Sequence, residues 1–211
     1  MIDTLAIIHR YYPEGSDIER VLRQHAEDVT GLALELVDAH PEMGLDREFV
    51  AEAAMLHDIG IYQTSAPEIF CTGEAPYILH GYLGAELLRS LGLPRHAWVA
   101  ERHTGSGLTA EEIAARAIPL PPGIYTPQCP EEELICYADK FYSKTKLGQR
   151  RHWSAYVVDL ASTGRPLWHA SMPCTRSTAF SPRHLPIFSY FCTQAKTISN
   201  QYLYGYYSRL P

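Results

Sequence analysis

Residues 47–60 read REFVAEAAMLHDIG, and they set the interpretation of everything around them. Asp46 can cap a helix, on which Phe49, Val50, Ala53, Ala54, Leu56 and His57 recur at helical spacing. Gly60 closes the segment, as a helix C-terminus favours. A histidine and an aspartate therefore stand side by side where an apolar-faced helix ends. Neighbouring helix positions point about 100° apart, so His57 and Asp58 reach one centre only near a wall between helices.

The same periodicity continues on both sides. Upstream, Ser16–Asp17 offers an N-cap for a helix carrying Ile18, Val21, Leu22, His25, Val29, Leu32 and Leu36, which runs to about Ala39 before Pro41 stops it. Downstream, Pro76 predicts the start of a third helix, through Ile78, Leu79, Leu83, Leu87, Leu88 and Leu91 to Gly92. Pro94 opens a fourth, through His103, and Thr109 caps a short fifth with Glu112 completing a capping box. Residues 119–130, PLPPGIYTPQCP, carry five prolines and predict an extended loop. Pro130 then opens EEELICYADKFYSKT, its acids placed where the macrodipole favours them. Strand-like alternation is absent. The expectation is an all-α fold, a helical bundle over residues 1–150.

The chain has 211 residues, 46% hydrophobic and 20% charged, enough for one domain with a sizeable core. Its net charge of −6 argues against binding a nucleic-acid duplex. No apolar run is long enough to span a bilayer, and the N-terminus lacks the basic stretch and cleavage site of a signal peptide. Five cysteines, odd in number and without CxxC spacing, read as ordinary thiols of a cytoplasmic protein. The charge is unevenly spread. Residues 1–150 hold 12 basic and 23 acidic residues, a local charge of −11, whereas residues 151–211 hold 6 basic residues and one acid, for +5. From about residue 151 the text has helix breakers and no periodic face. It predicts an irregular tail, either a disordered extension or an out-of-frame translation product. With allowed codon choices, a shifted frame reads the stretch from His152 as an amphipathic, helix-like string, and re-sequencing codons 148–152 decides the matter.

Ten histidines occur. His25 lies on the apolar stripe of its helix, four residues after Val21 and four before Val29. His80 follows Ile78–Leu79, and His103 ends the fourth helix. Asp139, within ICYADKF, is a carboxylate amid apolar residues and needs a compensating partner. Imidazole and carboxylate together are a ligand set for divalent transition metals, and two ions bridged by one carboxylate would use His25, His57, Asp58, His80, His103 and Asp139. His9, His40, His96 and the tail histidines lack this context and read as surface or incidental.

In order and spacing, these residues resemble the HD-domain superfamily of metal-dependent phosphohydrolases, in particular its branch of small stand-alone HDIG proteins. The resemblance covers roughly residues 5–148. His25 resembles the first ligand, His57–Asp58 the paired motif, and Asp139 the last. His80 in LHGYLGAELL and His103 in ERHTGSGL resemble the extra histidines of two-metal branches, where Asp58 would bridge. Many relatives follow HDIG with Lys; this chain has Ile61.

The resemblance implies a bundle around one or two divalent transition-metal ions (Fe, Mn, Co, Ni or Zn). It also implies hydrolysis of a phosphate ester or anhydride, of a nucleotide or other small phosphorylated molecule, by a metal-activated hydroxide. Asp58 and Lys140 are the expected catalytic residues, with Arg102 and Lys144 as candidate phosphate contacts. No GYP element follows the motif, which favours an open site over a cyclic-dinucleotide site. No Walker or Rossmann glycine pattern occurs. The same six ligands also resemble those of HD-type di-iron oxygenases, and a non-catalytic metal- or ligand-binding module is the third alternative.

Overall fold

The computed structural model describes residues 2–105 and 107–151. The tail expected over 151–211 lies outside them, apart from Arg151. Seven α-helices occur among the described residues, and each early one begins at a side chain that accepts a free N–H. Asp3 caps α1 (Thr4–His9), a helix absent from the sequence reading; Ser16 caps α2 (Asp17–Ala39); Asp46 caps α3 (Arg47–Leu56). The chain next enters α4 (His80–Ser90) and then α5 (Pro94–Arg102), whose proline occupies the first turn. α6 (Ala110–Ala115) carries the expected Thr109–Glu112 capping box, and α7 (Pro130–Asp139) has Glu131, Glu132 and Glu133 in its first turn.

Two local features differ from the sequence reading. A small sheet lies between α3 and α4, in the order β2-β1-β3. β1 (Thr64–Ala66) pairs antiparallel with β2 (Cys71–Thr72) and parallel with β3 (Ala75–Pro76). Strands of two or three residues are too short to show alternation. The second difference follows from the first: Pro76 belongs to β3, residues Tyr77–Leu79 form a 3₁₀ turn, and α4 starts only at His80.

α2 packs on α3 and α7, α3 and α7 on α5, and α5 on α4. The main core gathers Ile8, Tyr12, Val21, Leu22, Leu56, Ile59, Ile61, Leu88, Ala97 and Ala100. Full burial of a side chain such as Leu22 or Leu88 contributes about 1.5–3 kcal/mol. Tyr12, fully buried, donates its hydroxyl to the Ile59 carbonyl (2.7 Å) and accepts from the Tyr62 N–H (3.2 Å), which ties the N-terminal segment to the HDIG turn.

Two glycines set how closely the helices approach that turn. A Cβ on Gly60 would lie 2.2 Å from the His80 carbonyl oxygen, and one on Gly81 would lie 2.5 Å from the Ala100 carbonyl oxygen. Their absence lets α4 rest on the turn and against α5, and this brings His80 to both Asp58 and His103. No helix among the described residues is long and apolar enough to cross a membrane.

Candidate metal centre

Five segments meet at the wall between α2, α3, α4, α5 and α7. His25 comes from the buried stripe of α2, His57 and Asp58 from the end of α3, His80 from the first position of α4, His103 from the end of α5, and Asp139 from the end of α7. His25, His57, Asp58, His80 and His103 are buried; Asp139 is the most open of the set.

Asp58 stands at the middle. Its Oδ2 lies 3.0 Å from Nε2 of His25 and 3.0 Å from Nε2 of His57. Its Oδ1 faces the other pair, 3.3 Å from His80 Nε2 and 3.4 Å from His103 Nε2. Asp139 Oδ1 lies 3.1 Å from His25 Nε2 and 3.7 Å from His57 Nε2. Two donor groups result, His25–His57–Asp58–Asp139 and Asp58–His80–His103, the donor atoms within each lying no more than 4.8 Å apart.

The opposite edges of the imidazoles explain why Nε2 points inward. His57 Nδ1–H donates to the Ala54 carbonyl (2.6 Å), His80 Nδ1–H to the Tyr77 carbonyl (2.7 Å) and His103 Nδ1–H to the Ala100 carbonyl (2.8 Å). Each acceptor lies three residues earlier in the chain, so the local backbone fixes the tautomer that leaves Nε2 free to coordinate.

This donor set fits a cation. His80 and His103 bring their Nε2 atoms within 3.1 Å while each commits its proton at Nδ1, so lone pair faces lone pair. Both oxygens of buried Asp58, with His25 Nε2 and His57 Nε2, sit at ion-pair distance without the alignment of a hydrogen bond. Lys144 compensates one oxygen of Asp58, and a metal ion would engage the remaining buried donors together.

The electrostatics agree. Burial raises the carboxyls of Asp58 and Asp139, but Lys144 and His57 around the first, and His25 and His57 around the second, hold both well below the usual range. Burial opposes charge on His57, yet Asp58 and Asp139 raise it to about 10, so the two carboxylates favour a positive charge at its Nε2, a proton that a metal ion would have to displace. Burial pushes His80 down to about 3 and lowers His103 as well, keeping both neutral and able to ligate.

The expected cations fall in different places. Lys144 Nζ reaches Asp58 Oδ2 at 2.6 Å, beside the donor set; despite burial, Asp58 pushes it above its ordinary value. Lys140 Nζ lies 3.8 Å from Asp139 Oδ2. Arg102 is turned elsewhere. It pairs with buried Glu132 (2.9 Å) and donates to the Ile124 carbonyl (3.3 Å), clamping the proline-rich loop to α5 and α7. Glu101 pairs with Arg89.

His96 is a correction: it is buried, not superficial, and contacts Glu52 at 3.1 Å with its ring against Phe49. Tyr77, stacked on His80, escaped the sequence reading. Its one signal is an aromatic residue three positions before a histidine of the donor set, in YILH.

Fold and site together define a helical domain built around a buried His/Asp cluster that could hold a metal, and comparison with known proteins gives that class its family. The HD domain profile matches residues 22–143, and the chain belongs to the HD-domain family. An uncharacterised protein of Methanocaldococcus jannaschii is 38% identical over 126 residues, covering 58% of this chain and 67% of that protein. The tRNA (cytidine(56)-2'-O)-methyltransferases of Picrophilus torridus and Thermoplasma volcanium are 32% and 31% identical over 135 and 139 residues. The matched region covers 64% and 65% of this chain but 35% of each methyltransferase, so the chain spans about a third of their length. No solved structure matches.

Proposed function

We propose that this protein hydrolyses a phosphate ester or anhydride of a nucleotide or other small phosphorylated molecule. The observation that carries the proposal is Asp58, buried between two histidine groups with one carboxylate oxygen toward each. Family membership implies metal-dependent phosphohydrolase-type activity. His25, His57, Asp58 and Asp139 would hold one divalent ion, and His80 and His103, sharing Asp58, a second. When bound, such ions lower the pKa of water and neutralise charge on phosphoryl oxygens.

The chain's own residues do the remaining work. Three backbone carbonyls hold the imidazoles in their coordinating tautomer. Lys144 and Lys140 supply positive charge beside the two carboxylates, where a phosphoryl group needs it. Arg102 shapes the loop rather than the anion site. The −11 charge of residues 1–150 disfavours a nucleic-acid duplex as substrate. The names of two relatives denote tRNA methylation, which supports a substrate of nucleotide type.

The test is turnover of a nucleotide and phosphoester panel by chain loaded with Mn²⁺, Fe²⁺ or Co²⁺, in parallel with and without dioxygen. Phosphate or nucleotide release in both atmospheres is expected. Turnover that strictly requires dioxygen would establish the di-iron oxygenase alternative instead. No turnover, with ligands only raising the melting temperature, would favour a binding module.

A further inference from the structure

Tyr77 belongs to neither donor group, yet it touches the site in three ways. Its carbonyl accepts the His80 Nδ1–H at 2.7 Å. Its ring stacks on the His80 imidazole, with centroids 4.7 Å apart and planes 22° from parallel. Its ring lies beside the Lys144 ammonium, whose Nζ is 6.0 Å from the ring centroid. Lys144 in turn reaches Asp58 Oδ2. One residue therefore links a ligand of one donor group to the cation beside the shared carboxylate.

The turn that carries Tyr77 is held from two sides. Tyr77 packs against the main core, while Ile78 packs with Tyr82 against a second cluster of Leu108, Ile118 and Tyr125. A side chain so anchored keeps its orientation without needing a metal to impose it. Carbonyl and ring act on the same imidazole, the first fixing its tautomer and the second its rotation. A phenol beside an ammonium has its own proton to donate. An ammonium and a hydroxyl side by side match the clustered oxygens of a phosphoryl group.

We propose that Tyr77 has two roles: its ring and carbonyl position His80 for coordination, and its hydroxyl, beside Lys144, donates to a phosphoryl oxygen of the substrate. The second role rests on the phosphoester reading above; the first does not.

Two substitutions in the full chain separate the roles. Tyr77→Phe keeps ring and carbonyl and removes the hydroxyl; Tyr77→Leu removes the ring as well. The probes are Mn²⁺, followed by chelator competition, and inorganic phosphate titrated into Mn²⁺-loaded protein. Tyr77→Phe is expected to bind Mn²⁺ as wild type does and phosphate about tenfold more weakly. In turnover it raises KM and leaves kcat within about twofold. Tyr77→Leu is expected also to weaken the second Mn²⁺ by about tenfold, an effect that the Phe variant rescues. Unchanged phosphate affinity in Tyr77→Phe overturns the hydroxyl role, and wild-type Mn²⁺ affinity in Tyr77→Leu overturns the ring role. Both shifts in a protein that turns over no phosphoester would sustain the His80 role and a phosphate-binding hydroxyl, while removing the phosphohydrolase reading and the hydroxyl's part in it.

Discussion

At the scale of single residues, chemistry in the centre is set by where each imidazole puts its proton. His57, His80 and His103 each hand Nδ1–H to a carbonyl three residues back, a device that needs only the local backbone. The six cluster residues were readable from sequence for a related reason: each sits at a helix end or on an apolar stripe, where periodicity exposes an out-of-place polar group. His96 and Tyr77 were not readable. Their roles depend on partners far away in sequence, Glu52 for the first and Lys144 for the second. Arg102 shows the converse, because nothing local announces that Glu132 will engage it.

His96 yields a prediction at this scale. Burial lowers its pKa, against the opposing pull of Glu52, with Arg95 adding repulsion. A folded value below the unfolded one means that unfolding takes up a proton. The stabilisation is therefore complete above the unfolded value, about 6.5, and is lost as pH falls toward the folded value. The melting temperature of the metal-loaded protein should drop between pH 7 and 5, and His96→Gln should flatten part of that drop. Every other histidine contributes equally to both profiles. Superimposable profiles would contradict this account of His96.

Among the elements, capping chemistry was the most transparent signal. Ser16, Asp46 and Thr109 each cap the helix they precede, because a cap needs only four consecutive residues. The sheet was opaque because its strands hold two or three residues, and their pairing depends on chain reversals at Phe70 and Gly73. Pro76 misled for the same reason: a proline that opens helices elsewhere here lies in an edge strand beside β1.

The element contact that matters most to the site is the seat of α4 on the HDIG turn. Gly60→Ala would drive a methyl group to within 2.2 Å of the His80 carbonyl. Backbone cannot yield as a side-chain tip does, so about 1–3 kcal/mol of stability should be lost. Metal content should fall with it, as His80 moves away from Asp58. A urea unfolding midpoint and metal analysis check both effects, and an unchanged midpoint would mean that the approach is not close.

At the scale of the whole molecule, the net charge of −6 joins unlike parts. The acidic 150 residues supply every member of the centre, and the last of these, Asp139, precedes the change in composition. The HD-domain match likewise ends at residue 143. The similarity to two longer proteins whose names denote tRNA methylation covers about a third of their length.

The most direct test of that site is the metal content of the purified full chain, measured beside Asp58→Ala and paired with phosphoester turnover. Asp58 is the only residue common to both donor groups among the described residues, so its loss should disturb both at once. Wild type should hold one or two divalent ions per chain, as counted from the donor set. The variant should lose most of that metal and all activity. Full metal content and undiminished turnover in Asp58→Ala would contradict the account.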